Sequence, residues 1–535
     1  MKRRNFVGHS AKAIVGLQLW QLYGCTSSSS TPADRQGVPS FPFEEMTIDQ
    51  MQAGFAAGDF TIEAVTKAYL DRIEALDQNG PAINSIIELN PDAIAIAQAL
   101  DEERKAGQTR GPLHGIPIVL KDNIDTHDKM MTTAGSRALL GSKPLQDSGV
   151  AASLRAAGAV ILGKTNLSEW ANFRSDVSSS GWSGRGGQTR NPYEIDRNPC
   201  GSSAGSGAAV SANFAMLAIG TETNGSIVCP SHANGVVGIK PTVGLVSRSG
   251  IIPISVTQDT AGPMARTVRD AAICLGALTG IDPRDPKTAA SEGKFFSDYT
   301  PFLKKEGLQG KKIGLYTRSM GFHHQVDDLM KEAVALMEKQ GAEVIKIDQI
   351  GSGDGGRSSF QVMLYEFKDG LNKYFASLGP DAPIKSLAEL IDFNKQDSIE
   401  SLFDQGLLER AEKMEGVDTK EYKDLLASML ENTRDKGIDE AMTKDGLSAI
   451  IAPTGSAAWK TDPINGDLFL GGSSSPAARS GYPNITVPMG WIAGLPVGIS
   501  FFGQAWTEPL LLEIAYAYEQ ASQQRRAPSF NGWLG

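Results

Sequence analysis

The chain has 535 residues, 41% hydrophobic and 21% charged, enough apolar material for a large buried core. Its net charge of −10, with no basic block beyond the first few residues, argues against a nucleic-acid partner, which needs a cationic face to neutralise phosphates. Four cysteines, none in a paired C-x-x-C signature, are too few for a disulfide scaffold in a chain this long.

The N-terminus reads as an address. Lys2, Arg3 and Arg4 precede a modestly apolar stretch, Ala13 to Tyr23, too short and interrupted to span a bilayer. "KRRNFV" at 2–7 resembles a twin-arginine export motif, and "LYGC" at 22–25 resembles a lipobox whose Cys25 would be acylated. Residues 1–25 are therefore expected to be an export and lipoprotein signal, with a disordered cytosolic tail as the alternative. Residues 26–40 are Ser- and Pro-rich and read as a flexible tether. The folded body is expected over 41–535, exported to the bacterial envelope (periplasm) and touching a membrane only through the lipid anchor.

Thr47 with Gln50 forms a capping-box pattern, and apolar spacing predicts a helix over 61–77. "GIPIVLKDNI" (115–124) carries an apolar run ending at Lys121, the pattern of a buried strand that delivers a lysine at its end. Residues 149–166 read as helix, a turn at Gly158 and a strand over 159–162. Residues 311–316, 325–340 and 342–348 repeat strand, helix and strand, whereas 385–450 is charged and helix-prone without nameable chemistry. Alternating strands and helices predict a layered α/β body.

Between 201 and 227, "GSSAGSGAAVSANFAMLAIGTETNGSI" sets two small-residue clusters around an apolar run. "GSSAG" matches the G-x-S-x-G nucleophile elbow with Ser203 at its centre. That mechanism needs a later histidine, yet only six exist, and the last are His323 and His324 in no supporting context. Lysine is the next candidate base, provided burial or a nearby cation keeps its amine neutral. Lys121 and Lys164 share the same local context, so spacing does not choose between them. The small residues of "TETNGSI" let the backbone aim several amides into one cavity, as an oxyanion requires; a simple strand-to-loop turn has the same composition. Cys229 and His232 form a lone C-x-x-H, short of a zinc ligand set. Neither a metal nor an organic cofactor is expected.

These segments together resemble the amidase signature family of amide hydrolases. The resemblance rests on "GIPIVLKDNIDT" (115–126), "LRAAGAVILGKTNLSEWA" (154–171), "NPCGSSAGSGAAVSANFAMLAIGTETNGSI" (198–227), "GVVGIKPTVGLVSRSGIIP" (235–253), "QDTAGPMARTVRDAA" (258–272), "GYPNITVPMG" (481–490) and "GLPVGISFFGQ" (494–504). It implies one large α/β domain with a mixed, twisted central sheet covered by helices on both sides, and a Ser–cis-Ser–Lys triad: Ser226 as nucleophile, Ser202 beside a cis peptide bond, and Lys121 as base. It also implies an oxyanion hole from the amides of Thr223, Asn224, Gly225 and Ser226. Cys200, Glu222, Asn224 and Val228 depart from the commonest family pattern without removing a triad member. "GSIVCP" and the segment 247–266 look most like peptide amidases, which implies a small-molecule or peptide amide as substrate. The amidotransferase subunit that draws ammonia from glutamine and a non-catalytic amide-binding lipoprotein are the rival readings. The least similar segment, about 285–450, is expected to shape the substrate pocket. Cys200 and Cys229 flank the two catalytic loops; simple burial is the expectation and a disulfide the alternative. Oligomeric state is left open by the sequence.

Overall fold

The computed structural model describes residues 38–351 and 355–532. The export signal, Cys25 and residues 26–37 of the tether lie outside the described residues. Thirteen strands occur among those described. The first six are β1 (Ile86–Leu89), β2 (Pro117–Lys121), β3 (Val160–Thr165), β4 (Trp182–Ser183), β5 (Gly187–Gln188) and β6 (Leu217–Glu222). Next come β7 (Val237–Lys240), β8 (Thr260–Ala265), β9 (Lys312–Tyr316) and β10 (Glu343–Ile347). The last are β11 (Ala449–Pro453), β12 (Asn484–Ile492) and β13 (Leu495–Phe502).

Eleven of these form one sheet in the order β1-β3-β2-β6-β8-β7-β12-β13-β11-β9-β10, and β4 with β5 makes a separate two-stranded ribbon. The sheet is mixed: β2 runs parallel to β3 and β6, and β9 parallel to β10 and β11, whereas β6–β8, β7–β8 and β12–β13 are antiparallel. Its flanking helices complete the predicted single α/β domain, and the chain from Pro39 onward is one compact unit. Strands β2, β3, β6, β8 and β13 are buried at every residue, while the edge strand β10 is largely open. This is why the central strands read as unbroken apolar runs rather than alternating ones.

Local signals hold, with shifts at element ends. Thr47 and Gln50 close their capping box on helix Ile48–Ala57. The helix expected over 61–77 is α-helical over Ile62–Arg72 and widens into a π-turn over Ile73–Gln78. The strand expected over 159–162 runs instead from Val160 to Thr165, because β2 pairs with it from Val160 to Thr165 and β1 adds pairs at Gly163, Lys164 and Thr165.

Residues 385–450 form helices Leu387–Gln396, Gly406–Glu412 and Lys420–Thr433. With the long helix Gly355–Ser377 the first two bury Phe367, Leu371 and Phe375 against Trp170, Phe173, Ile252 and Ile254, and the third packs Tyr422 and Met429 on Val362 and Tyr365. This layer backs the loops next to the serines instead of adding strands to the sheet.

Candidate active site

β2 and β6 are parallel neighbours, with Leu120 opposite Ile219, so both strands end on one edge of the sheet. Parallel α/β sheets place ligand sites at the carboxyl ends of their strands. Lys121 is the last residue of β2, and the turn carrying Ser226 follows β6 directly. Ser202 sits just before helix Ala204–Ser211, and the Gly201–Ser202 peptide bond is cis. A Cβ on Gly201 would lie 2.2 Å from the Ser168 hydroxyl oxygen, so only glycine fits beside Ser202.

The Lys121 Nζ lies 2.7 Å from Ser202 Oγ, 2.8 Å from Thr221 Oγ1 and 3.3 Å from the Thr221 carbonyl oxygen. Lys121 and Ser202 are fully buried. Burial lowers the Lys121 amine to about 7, with Asp259 and Glu222 opposing the fall, so near neutral pH a large share of it is unprotonated. Lys164, its equal in sequence, donates to the Ile124 carbonyl (2.7 Å) and Thr132 Oγ1 (2.9 Å) and touches neither serine. Ser203, centre of the hydrolase-like elbow, is buried and spends its hydroxyl on the Thr221 carbonyl (3.1 Å) and amide (3.2 Å). His323 follows β9, six places along the sheet from β6, so no histidine from that loop serves as base here.

The turn from Thr223 to Val228 is held residue by residue. Glu222 is buried, and its carboxylate accepts the amides of Gly225 (2.8 Å), Ile227 (2.9 Å) and Val228 (3.0 Å). Asn224 Oδ1 accepts from Ser474 Oγ at 2.7 Å. Gly225 has φ of +86°, which a side chain would disfavour. Of the four expected oxyanion donors, the Gly225 amide is thus committed to Glu222. The amides of Thr223, Asn224 and Ser226 meet no acceptor among the described residues. Sequence reasoning noted Glu222 only as a departure from pattern; a carboxylate just ahead of helix Val228–Ala233 was the available signal.

Cys200 and Cys229 form a disulfide, which corrects the expectation of simple burial. The loops bearing Ser202 and Ser226 converge, so the two sulfurs meet. Cys229 therefore has no thiolate to offer a metal with His232. Among the described residues no cluster of three or more His, Cys, Asp or Glu side chains is arranged to hold a metal ion.

A cavity of about 430 Å³ opens over this edge, bordered by Gly201, Asn224, Gly225, the disulfide, Trp459, Phe469 and Asp467. Asp467 is fixed by Ser180 Oγ (2.5 Å), the Ser180 amide (3.0 Å) and Trp459 Nε1 (3.1 Å). Segment 285–450 does not border this cavity, whose walls come from 172–180, 200–229 and 454–475. That segment acts one layer back. Glu400 pairs with buried Arg174, Ser175 Oγ donates to Asp404 (2.6 Å), and Arg410 pairs with Asp176.

The family model described as Amidase matches residues 64–512. A relative from Arabidopsis thaliana named "Probable amidase" is 41% identical over 500 residues, covering 92% of this chain and 93% of the relative. A Glutamyl-tRNA(Gln) amidotransferase subunit from Microcystis aeruginosa is 34% identical, covering 90% of this chain and 99% of the relative. The crystal structure of the native peptide amidase from Stenotrophomonas maltophilia is 50% identical, with a TM-score of 0.88, covering 92% of this chain and all (100%) of that one. A family match over most of the body, on the predicted fold, shows that the chain belongs to the amidase signature family, hydrolases of amide C–N bonds.

Proposed function

We propose that this amidase releases ammonia from C-terminally amidated peptides and small carboxylic amides through an acyl-enzyme on Ser226. The observation that carries the reading is a fully buried Lys121 amine near 7, 2.7 Å from the Ser202 hydroxyl. A neutral Lys121 takes the Ser202 proton as Ser202 takes that of Ser226, whose oxygen attacks the amide carbon. The amides of Thr223, Asn224 and Ser226 are the donors available to the oxyanion. The same relay run backwards protonates the departing ammonia, and water then attacks the acyl-enzyme.

The peptide class is supported by the 50% identical peptide amidase and by the cavity's chemistry. The charged residues bordering the cavity are the carboxylates Asp176 and Asp467, with no cation among the described residues. Such a wall offers no cation to pair with an α-carboxylate, which glutamine carries beside its α-ammonium and a C-terminally amidated peptide does not carry at its reacting end. The N-terminal export signal with acylation at Cys25 belongs to the same proposal, and labelled palmitate that stays bound in a Cys25→Ser variant would refute it.

The test is ammonia release from amidated peptides, aliphatic and aromatic amides, and glutamine, with Ser226→Ala in parallel. Release from peptide amides that vanishes in the variant, with the fold intact, is the expected result. Turnover that survives in Ser226→Ala refutes the nucleophile. A preference for glutamine moves the reading to the amidotransferase class.

A further inference from the structure

Asp259 lies immediately before β8, the antiparallel neighbour of β6, where Thr260 pairs with Glu222. It is partly buried. One carboxylate oxygen accepts from Thr223 Oγ1 at 2.5 Å, and the other accepts the amides of Ile254 (2.7 Å) and Ser255 (2.8 Å). Next to it, Gln258 Nε2 donates to the Thr223 carbonyl at 3.3 Å, and Gln258 Oε1 accepts from Ser359 Oγ at 2.7 Å. Thr223, first residue of the nucleophile turn, is thereby gripped at its hydroxyl and at its carbonyl. Nothing in the proton relay described above uses Asp259.

From this geometry we infer that Asp259 is a positioning residue of the hydrolysis. It fixes Thr223 so that the Thr223 amide faces the reacting carbonyl, and its negative charge steadies the ammonium that Lys121 becomes as the proton arrives. The inference rests on the reading of Lys121 as base. The charges facing Lys121 are Asp259 and Glu222. Glu222 spends both oxygens on three turn amides. Arg248 faces Asp259 and is itself paired with Asp285 at 2.6 Å. Burial pushes the Asp259 carboxyl up to about 6, so it is still ionised where Lys121 titrates, at about 7. A carboxylate close to an amine favours the ammonium, and taking that charge away must lower the amine's pKa.

The experiment measures kcat/KM for a peptide amide from pH 5.5 to 9 in the full chain and in Asp259→Asn, Asp259→Glu, Thr223→Val and Ser226→Ala. Asp259→Asn is expected to move the acid limb down by about one pH unit and to lower the plateau about tenfold or more. Asp259→Glu returns the limb towards its original place. Thr223→Val lowers kcat with KM nearly unchanged and leaves the limb where it was, because the charge remains. An acid limb in Asp259→Asn that coincides with the parent's overturns the inference while leaving the relay standing, provided Ser226→Ala is inactive. Activity in Ser226→Ala removes the underlying reading. If Asp259→Asn does not fold, Thr223→Val decides: unchanged kcat overturns the positioning role.

Discussion

Replacing Cys200 and Cys229 together by alanine removes the crosslink between the loops that carry Ser202 and Ser226, at a sequence separation of 29. In the chain-entropy account, closing a loop of that length lowers the entropy of the unfolded chain by about 12 cal/mol/K, or about 3.6 kcal/mol at 25 °C. A folded body of about 500 residues has an unfolding entropy near 1 kcal/mol/K, so the expected fall in Tm is about 3–4 °C. Activity is expected to fall more steeply than stability, because both cysteines border the cavity beside the serine loops and Gly201 follows Cys200 directly. The assay pairs thermal melts of the parent and the double variant with kcat and KM, all without reductant. Thiol titration of the unfolded, unreduced parent accompanies them, with Cys274 the one free thiol expected among the described residues. Titration of Cys200 and Cys229 in the oxidised parent, or identical Tm and kcat in parent and double variant, would refute the reasoning.

Three further outcomes are expected. A base that must be neutral loses activity as it gains a proton, so kcat/KM of the parent should fall tenfold per pH unit below about 7 and level off above it. Lys121→Ala should lose about 10²–10⁴-fold near neutral pH, and a mild defect there would point to another base. Glu400 is buried, pairs with Arg174 and accepts the Arg137 amide at 2.8 Å, so Glu400→Ala leaves part of a buried ion network unmatched. A loss of about 3 kcal/mol in urea unfolding, with KM raised more than kcat is lowered, is expected because the 172–178 wall loses its backing.

Much of the chemistry was legible before any coordinates. The apolar run ending at Lys121 and the small residues around Ser202 and Ser226 are local features, and local features are what a sequence records. The capping box at Thr47 and the strand–helix–strand run over 311–348 are of the same kind. Each is fixed by neighbours a few residues away, where steric and hydrogen-bonding rules act directly.

Other points depended on which distant segments meet. Lys121 and Lys164 both end or nearly end buried strands, and only the order β3-β2-β6 sets one of them against the serines. Whether Cys200 and Cys229 pair depends on two loops converging across a sheet edge. The grip of Asp259 on Thr223 and of Ser474 on Asn224 joins residues 36 and 250 positions apart. The sequence by itself determined the family, the fold class and the candidate residues, because periodicity and motif are properties of short stretches. Strand order and long-range packing decided which lysine touches a serine, which amides stay free and which segments wall the cavity. Those are contacts between surfaces that exist only once the chain has folded.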